Sequence, residues 1–180
     1  MTKLHLGCGK RNFGSEWVHI DGGDHPHLHS HDIVNLPFDN CSVDLIYCSH
    51  VLEYFDREEV KVVLKEWHRV LKPSSLLRIA VPDFKTMAKL YVSQEFKLES
   101  FLGPLYGKMQ MGENFIYHKT VYDFESLKLI LQFCGFSDVE LYDWRKTEHC
   151  HLDDQSQAYL PKMDKENGTL ISLNVEAKRK

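Results

Sequence analysis

One strand–helix–strand run, residues 42 to 82, limits the folds open to this chain more than any other feature. Ser42-Val-Asp-Leu-Ile-Tyr-Cys48 is an apolar run with the length of a buried strand. Asp56 then stands three residues before Glu59, the spacing of a capping box that opens a helix. Val60, Val63, Leu64, Trp67 and Leu71 follow at helical spacing, so one helix face is apolar. Pro73 stops the helix, because proline has no N–H to donate and its ring clashes with the preceding turn. Leu76-Leu-Arg-Ile-Ala-Val-Pro82 is the next strand. Two strands joined through a helix lie parallel, with the helix packed back on the sheet.

The same alternation runs through the rest of the chain. Lys3 to Gly7 is a first strand ending in the turn Gly7-Cys8-Gly9, and Trp17 to Asp21 is a second. Asp32-Ile-Val34 reads as a short third strand. A helix is expected over about Phe84 to Val92, and residues 95–119 are less regular, with Gly103, Pro104, Gly107 and Gly112. Asp123 caps a further helix carrying Phe124, Leu127, Ile130, Leu131 and Cys134, closed by Gly135. Val139–Trp144 and Leu170–Ala177 read as two strands that pair antiparallel, separated by the polar stretch Arg145 to Gly168. The pattern fits a single α/β domain over residues 1–180, with a mostly parallel sheet and an antiparallel strand near the C-terminus.

Composition removes several function classes. Lys plus Arg number 22 and Asp plus Glu 26, a net charge of −4 that gives no overall positive field for nucleic acid. No apolar run approaches the roughly 20 residues of a membrane span, and the N-terminus lacks a signal-peptide pattern. Five cysteines without a C-x-x-C pair suggest reduced thiols, so a cytoplasmic protein is expected.

In open α/β sheets, ligands bind beyond the carboxyl ends of the strands. The Gly7-Cys8-Gly9 turn ends the first strand there, and Asp21 ends the second, placed to meet ribose hydroxyls. Leu4-His-Leu-Gly-Cys-Gly9, Asp21, Asp32 to Phe38, Ser42 to Glu53 and Arg69-Val-Leu-Lys-Pro73 follow in order. This succession resembles the class I S-adenosylmethionine-dependent methyltransferases, and within them small enzymes associated with bacterial surface-polysaccharide genes. The resemblance implies a Rossmann-like fold, S-adenosylmethionine as cofactor and S-adenosylhomocysteine as product. It implies that Leu6, Gly7, Cys8 and Gly9 line the methionine end of the cofactor, that Asp21 with Gly22 holds the ribose, and that Asp32 and Ile33 face the adenine. Cys48, Ser49 and His50 would then lie beside cofactor and substrate.

The chain departs from the family pattern in three places. His5 stands where the family has an acid, Arg11 replaces the third glycine, and the intervals Gly9–Asp21 and Asp21–Asp32 are too short for full helices. The first two crossover helices are therefore truncated or missing, and a homodimer is one way to cover the bared sheet face.

If the acceptor is a hydroxyl or an amine, methyl transfer needs a proton acceptor. His50 and Asp83 end strands at the cleft edge, and His118 precedes the Asp123 helix; these three are the candidate bases. His25, His27, His29 and His31 alternate without a carboxylate or cysteine at ligand spacing, and His149-Cys-His-Leu-Asp-Asp154 offers mixed ligands but lies in a long loop, so no metal is assigned. Arg145, His149, His151, Asp153, Asp154 and Gln157 read instead as groups for a hydroxyl-rich acceptor, and Tyr106, Phe115, Tyr117 and Tyr122 as walls of its pocket. The reading that results is a methyltransferase acting on a small-molecule or glycan-type acceptor, with no nucleic-acid or membrane partner. The alternative is a non-catalytic cofactor-binding or assembly subunit of the same fold.

Overall fold

The computed structural model describes residues 1–180. In chain order it holds β1 (Lys3–Leu6), β2 (Trp17–Ile20), β3 (Val43–Ser49), α1 (Glu59–Val70), β4 (Leu71–Pro82), α2 (Phe84–Val92) and α3 (Glu99–Tyr106). The hairpin β5 (Gly107–Met111) and β6 (Asn114–Tyr117) follows, then α4 (Phe124–Phe133), β7 (Phe136–Leu141), β8 (Tyr159–Leu160), β9 (Thr169–Leu170) and β10 (Ser172–Arg179). The main sheet has the order β2-β1-β3-β4-β10-β7. β2, β1, β3 and β4 run parallel, and β10 is antiparallel to both β4 and β7. The chain leaves β1 toward β2 and returns to β3 on the other side, so the switch point lies between β1 and β3.

The capping box of α1 forms as its sequence dictates. Asp56 Oδ1 accepts the Glu58 and Glu59 amides at 2.8 and 2.9 Å, and Glu59 Oε2 accepts the Asp56 amide at 2.8 Å. The helix buries Val60, Val63, Leu64, Trp67 and Val70 on one side of the sheet, where α4 adds Leu127 and Leu131. Strand register puts Leu4, Leu6, Ile20, Ile46, Cys48, Leu77 and Ile79 in that same core.

The opposite face is unusual. Register there aligns His5 with His19 and Tyr47, and Tyr47 with Arg78. The connections from β1 to β2 and from β2 to β3 contain no helix, so both expected truncations are complete losses. The face is covered from within the chain. Phe13 stacks on His5 (3.9 Å between centroids) and on His149 (4.4 Å), and Asp154 accepts a hydrogen bond from the Tyr47 hydroxyl. Residues 143–160 thus roof this face of the sheet, so the chain itself covers part of what the missing helices leave bare.

Two sequence expectations need correction. Asp32–Val34 is not a strand: only an isolated bridge, Ile20 to Ser30, continues the sheet. Asp32 instead accepts the Val34 and Asn35 amides at 2.8 and 3.0 Å, and this local turn competes with ladder pairing. Residues 95–119 are more regular than their glycines suggest, because α3 tolerates Pro104 and anchors Phe101 against Met87, Leu90 and Leu160. No helix is long and apolar enough to cross a membrane.

Candidate functional site

The carboxyl ends of β1 and β2 meet in a glycine turn braced by one carboxylate. Gly7 and Gly9 both adopt positive φ, +67° and +55°, where a side chain is strained. A Cβ on Gly7 would also overlap Val51, whereas one on Gly9 would point into open space. Asp21, 9% exposed, accepts the Gly9 amide at 2.8 Å and the Gly23 amide at 2.7 Å, one on each oxygen. Its second lone pairs stay free for hydroxyl donors. Gly22 faces the Met111 thioether, 3.2 Å from where its Cβ would be. Cys8 is buried, and that burial, with the Asp21 charge second, pushes its thiol up to about 12. It is therefore a packed thiol rather than a nucleophile.

Leu6 and Cys48 lie side by side in the sheet, both fully buried, and Ser49 follows with its hydroxyl buried and unpartnered. His50 comes next in a positive-φ conformation (+54°), uncommon for a non-glycine residue and a frequent mark of a functional position. Its Nε2 lies 3.1 Å from Ser172 Oγ. The Ser172 hydroxyl donates to Asn174 Oδ1, and Asn174 donates to the Ser156 carbonyl in the roof. His50 Nδ1 lies 3.3 Å from Glu53 Oε1.

Glu53 has no exposed surface, and neither of its oxygens has a hydrogen-bond partner. His118 Nε2 approaches the same Oε1 at 3.8 Å, while His118 Nδ1 lies 3.0 Å from the Pro104 carbonyl. Burial lowers the proton affinity of His118, and the Glu53 charge works in the opposite direction. Burial first and Glu53 second push the Tyr54 hydroxyl up to about 12 and also raise Tyr122, whose hydroxyl is buried without a partner. Two of the three candidate bases, His50 and His118, therefore converge on one buried carboxylate. Glu53 carries no expected role from the sequence, and its i,i+3 spacing from His50 is the signal that was available there.

The hairpin β5–β6 joins the two halves. His118 sits at its base, where a Cβ on Gly107 would come within 2.6 Å of the imidazole, and Met111 at its far end reaches Gly22. It spans the carboxyl edge of the sheet from the Glu53 cluster to the glycine turn. Tyr106, Phe115 and Tyr117 stand exposed along it, while Tyr122 is buried beneath.

Other candidates are committed elsewhere. Asp83 caps α2, with the Thr86 amide on one oxygen at 3.2 Å and the Thr86 hydroxyl on the other at 2.6 Å, so it is not a free base. Asp32 is held in its own turn by Asn35 and stays exposed, and Ile33 packs on the core while its carbonyl accepts the Trp67 indole N–H at 2.8 Å. Arg145 donates to the Tyr159 hydroxyl, and Gln157 to the carbonyls of Cys150 and Leu152. With buried His149 and Asp154, these groups hold the roof together rather than face an acceptor. The departures His5 and Arg11 have the same explanation: His5 lies under the roof, and Arg11 donates to the Asp153 carbonyl at 2.8 Å. His27 approaches Cys8 Sγ at 3.7 Å, and His31 the Gly23 carbonyl at 3.0 Å. Nowhere do three metal-ligating side chains converge.

The Methyltransferase domain family matches residues 12–79. A SAM-dependent methyltransferase from Methanosarcina mazei is similar over 99% of this chain and 92% of its own, with a TM-score of 0.57 at 18% identity. One from Archaeoglobus fulgidus is similar over 99% of this chain and 86% of its own, with a TM-score of 0.59 at 18% identity. A Burkholderia thailandensis 1,6-didemethyltoxoflavin-N1-methyltransferase, solved with 1,6-didemethyltoxoflavin and S-adenosylhomocysteine bound, is similar over 99% of this chain and 70% of its own (TM-score 0.57, 11% identity). At these identities the likeness is one of fold. No curated protein matches the sequence.

Proposed function

We propose that this chain is a class I S-adenosylmethionine-dependent methyltransferase that methylates a small polar acceptor built around a ring, glycan-type acceptors foremost, a reading that the family match over residues 12–79 and the shared fold support. The observation that carries the reading is the pairing of an Asp21-braced glycine turn with a histidine–carboxylate cluster across the same sheet edge.

The residues present fit the cofactor. The open space over Gly9 admits a ligand close to the backbone, while the missing side chain of Gly7 makes room for Val51. The spare lone pairs of Asp21 suit ribose hydroxyls, and exposed Gly22 borders the same turn, whereas Leu6 and Cys8 are packed beneath it. When bound, S-adenosylmethionine supplies an electrophilic methyl group on a sulfonium sulfur. The chain's own part is to orient the acceptor, exclude water and take a proton. His50 and His118 are the groups proposed to take it. The exposed rings of Tyr106 and Tyr117 offer flat faces to a sugar or heteroaromatic ring, and Lys108 stands over the Phe115 ring at 4.7 Å. His5 and Arg11, two departures from the family pattern, have structural duties at the roof, and these explain them without loss of catalysis.

The test is release of S-adenosylhomocysteine from S-adenosylmethionine with a panel of nucleotide sugars, glycan fragments and heteroaromatic amines, followed by mass spectrometry. Methyl-labelled sugar supports the glycan class. Labelled heteroaromatic alone would replace it, and cofactor binding without turnover on any acceptor would count against the catalytic reading.

A further inference from the structure

We infer that Met111 is a cofactor-binding residue: the β5–β6 hairpin lays its thioether beside Asp21 and supplies an apolar wall for adenosine that the Asp21-Gly22-Gly23 turn lacks. The inference rests on the proposed function for the identity of the ligand.

A site for adenosine has two surfaces to serve. The ribose hydroxyls need acceptors, and Asp21 keeps lone pairs free for them. The base is a flat aromatic ring, and binding sites hold such rings against apolar side chains. The turn that carries Asp21 offers none, because Gly22 and Gly23 follow it and Gly22 is exposed. Met111 stands where a Gly22 side chain would begin: its Sδ lies 3.2 Å and its Cε 3.3 Å from the place a Cβ would take. A thioether suits this place, since it is polarizable, adapts its shape and packs favourably on aromatic rings. Of the cofactor's two halves, adenosine is the one that carries the ribose, so a group beside Asp21 and Gly22 meets adenosine rather than the amino acid.

The hairpin is built to present this side chain. Register pairs Met109 with Ile116 and Met111 with Asn114, so Met109, Met111 and Ile116 share one face, the face that Met111 turns to Gly22. Phe115 pairs with Gln110 on the other face. Met109 stays 40% exposed, so apolar surface on the inner face remains for a ligand to cover. The foot of the hairpin is fixed. The Tyr106 carbonyl accepts the His118 amide at 3.0 Å, and Gly107, at φ +64°, lies so close to the His118 ring that no side chain fits between them. The tip turns at Gly112, with φ +59°. A two-stranded hairpin by itself is marginally stable, so a ligand packed against Met111 tightens it.

The experiment is calorimetric titration of the full chain with S-adenosylhomocysteine and with 5′-methylthioadenosine, which lacks the amino-acid half, for wild type, Met111→Ala and Met111→Leu. Met111→Ala should weaken both ligands by about tenfold, since both carry adenosine. Met111→Leu keeps an apolar side chain of similar volume and should retain most of the affinity. Hydrogen exchange over residues 107–117 of wild type should slow when either ligand is added. Unchanged affinity in Met111→Ala, a loss confined to S-adenosylhomocysteine, or Met111→Leu as weak as Met111→Ala would overturn the inference. So would exchange over 107–117 that neither ligand slows, a result that stands even if the variants do not fold. Wild type that binds neither ligand would remove the methyltransferase reading and this inference with it, whereas binding that Met111→Ala leaves unchanged removes the inference alone.

Discussion

Replacing Asp21 with Asn tests the brace under the glycine turn. The carboxylate accepts amides from Gly9 and Gly23 at 2.8 and 2.7 Å, and the residue is 9% exposed. Asparagine keeps one acceptor oxygen and puts an NH2 group where the other stood. One amide then loses a charge-assisted bond worth roughly 1.5–3 kcal/mol and faces a donor instead. The expected loss is about 3 kcal/mol of folding stability. With a urea m-value of about 2 kcal/mol/M, the midpoint should drop by about 1.5 M. Chemical denaturation followed by circular dichroism measures it. A shift below about 0.5 kcal/mol would refute the brace, since surface substitutions fall within that range. A full shift without loss of S-adenosylmethionine affinity in the folded variant would instead separate the brace from the ribose role.

Three further outcomes follow from the same geometry. Gly7→Ala should cost more than Gly9→Ala, because both sit at positive φ but only Gly7 would drive a methyl into Val51; about 3 against about 1 kcal/mol is expected by urea denaturation. Acid should loosen the roof. Burial, the largest cause, holds His149 down to about 4 and His5 below the ordinary histidine value, so both rings fold as neutral groups. The unfolded chain binds more protons between about 4 and 6.5, so stability rises with pH across that window; His149 alone accounts for about 2 kcal/mol lost between pH 7.5 and 5, checked by urea curves at both pH values. Phe13→Ala removes the ring between His5 and His149 and should cost about 2 kcal/mol, with hydrogen exchange rising across residues 143–160 as its local signature.

The parallel core of the fold was legible because its signals are local. The apolar spacing from Val60 to Trp67 and the Asp56–Glu59 box specify α1 without help from elsewhere, and the observed helix follows them. The missing crossover helices were legible from spacing alone. What replaced them was not: Phe13 meets His149 only in three dimensions, and polarity made residues 145–168 look like an acceptor surface. Asp83 caps α2 and Asp32 closes its own turn. Short acids after strands serve caps and turns as readily as catalysis, and only their hydrogen-bond partners tell these uses apart. Glu53 stands between Val51-Leu52 and Tyr54-Phe55, yet an acid in isolation reads as exposed. Its burial depends on His118, 65 residues further along the chain.

Calorimetric titration of the full chain with S-adenosylmethionine, and separately with S-adenosylhomocysteine, tests the central claim most directly. The account predicts micromolar binding of at least one of them. Absence of binding by both would contradict it, leaving a methyltransferase fold whose glycine turn and Asp21 do not form a cofactor site.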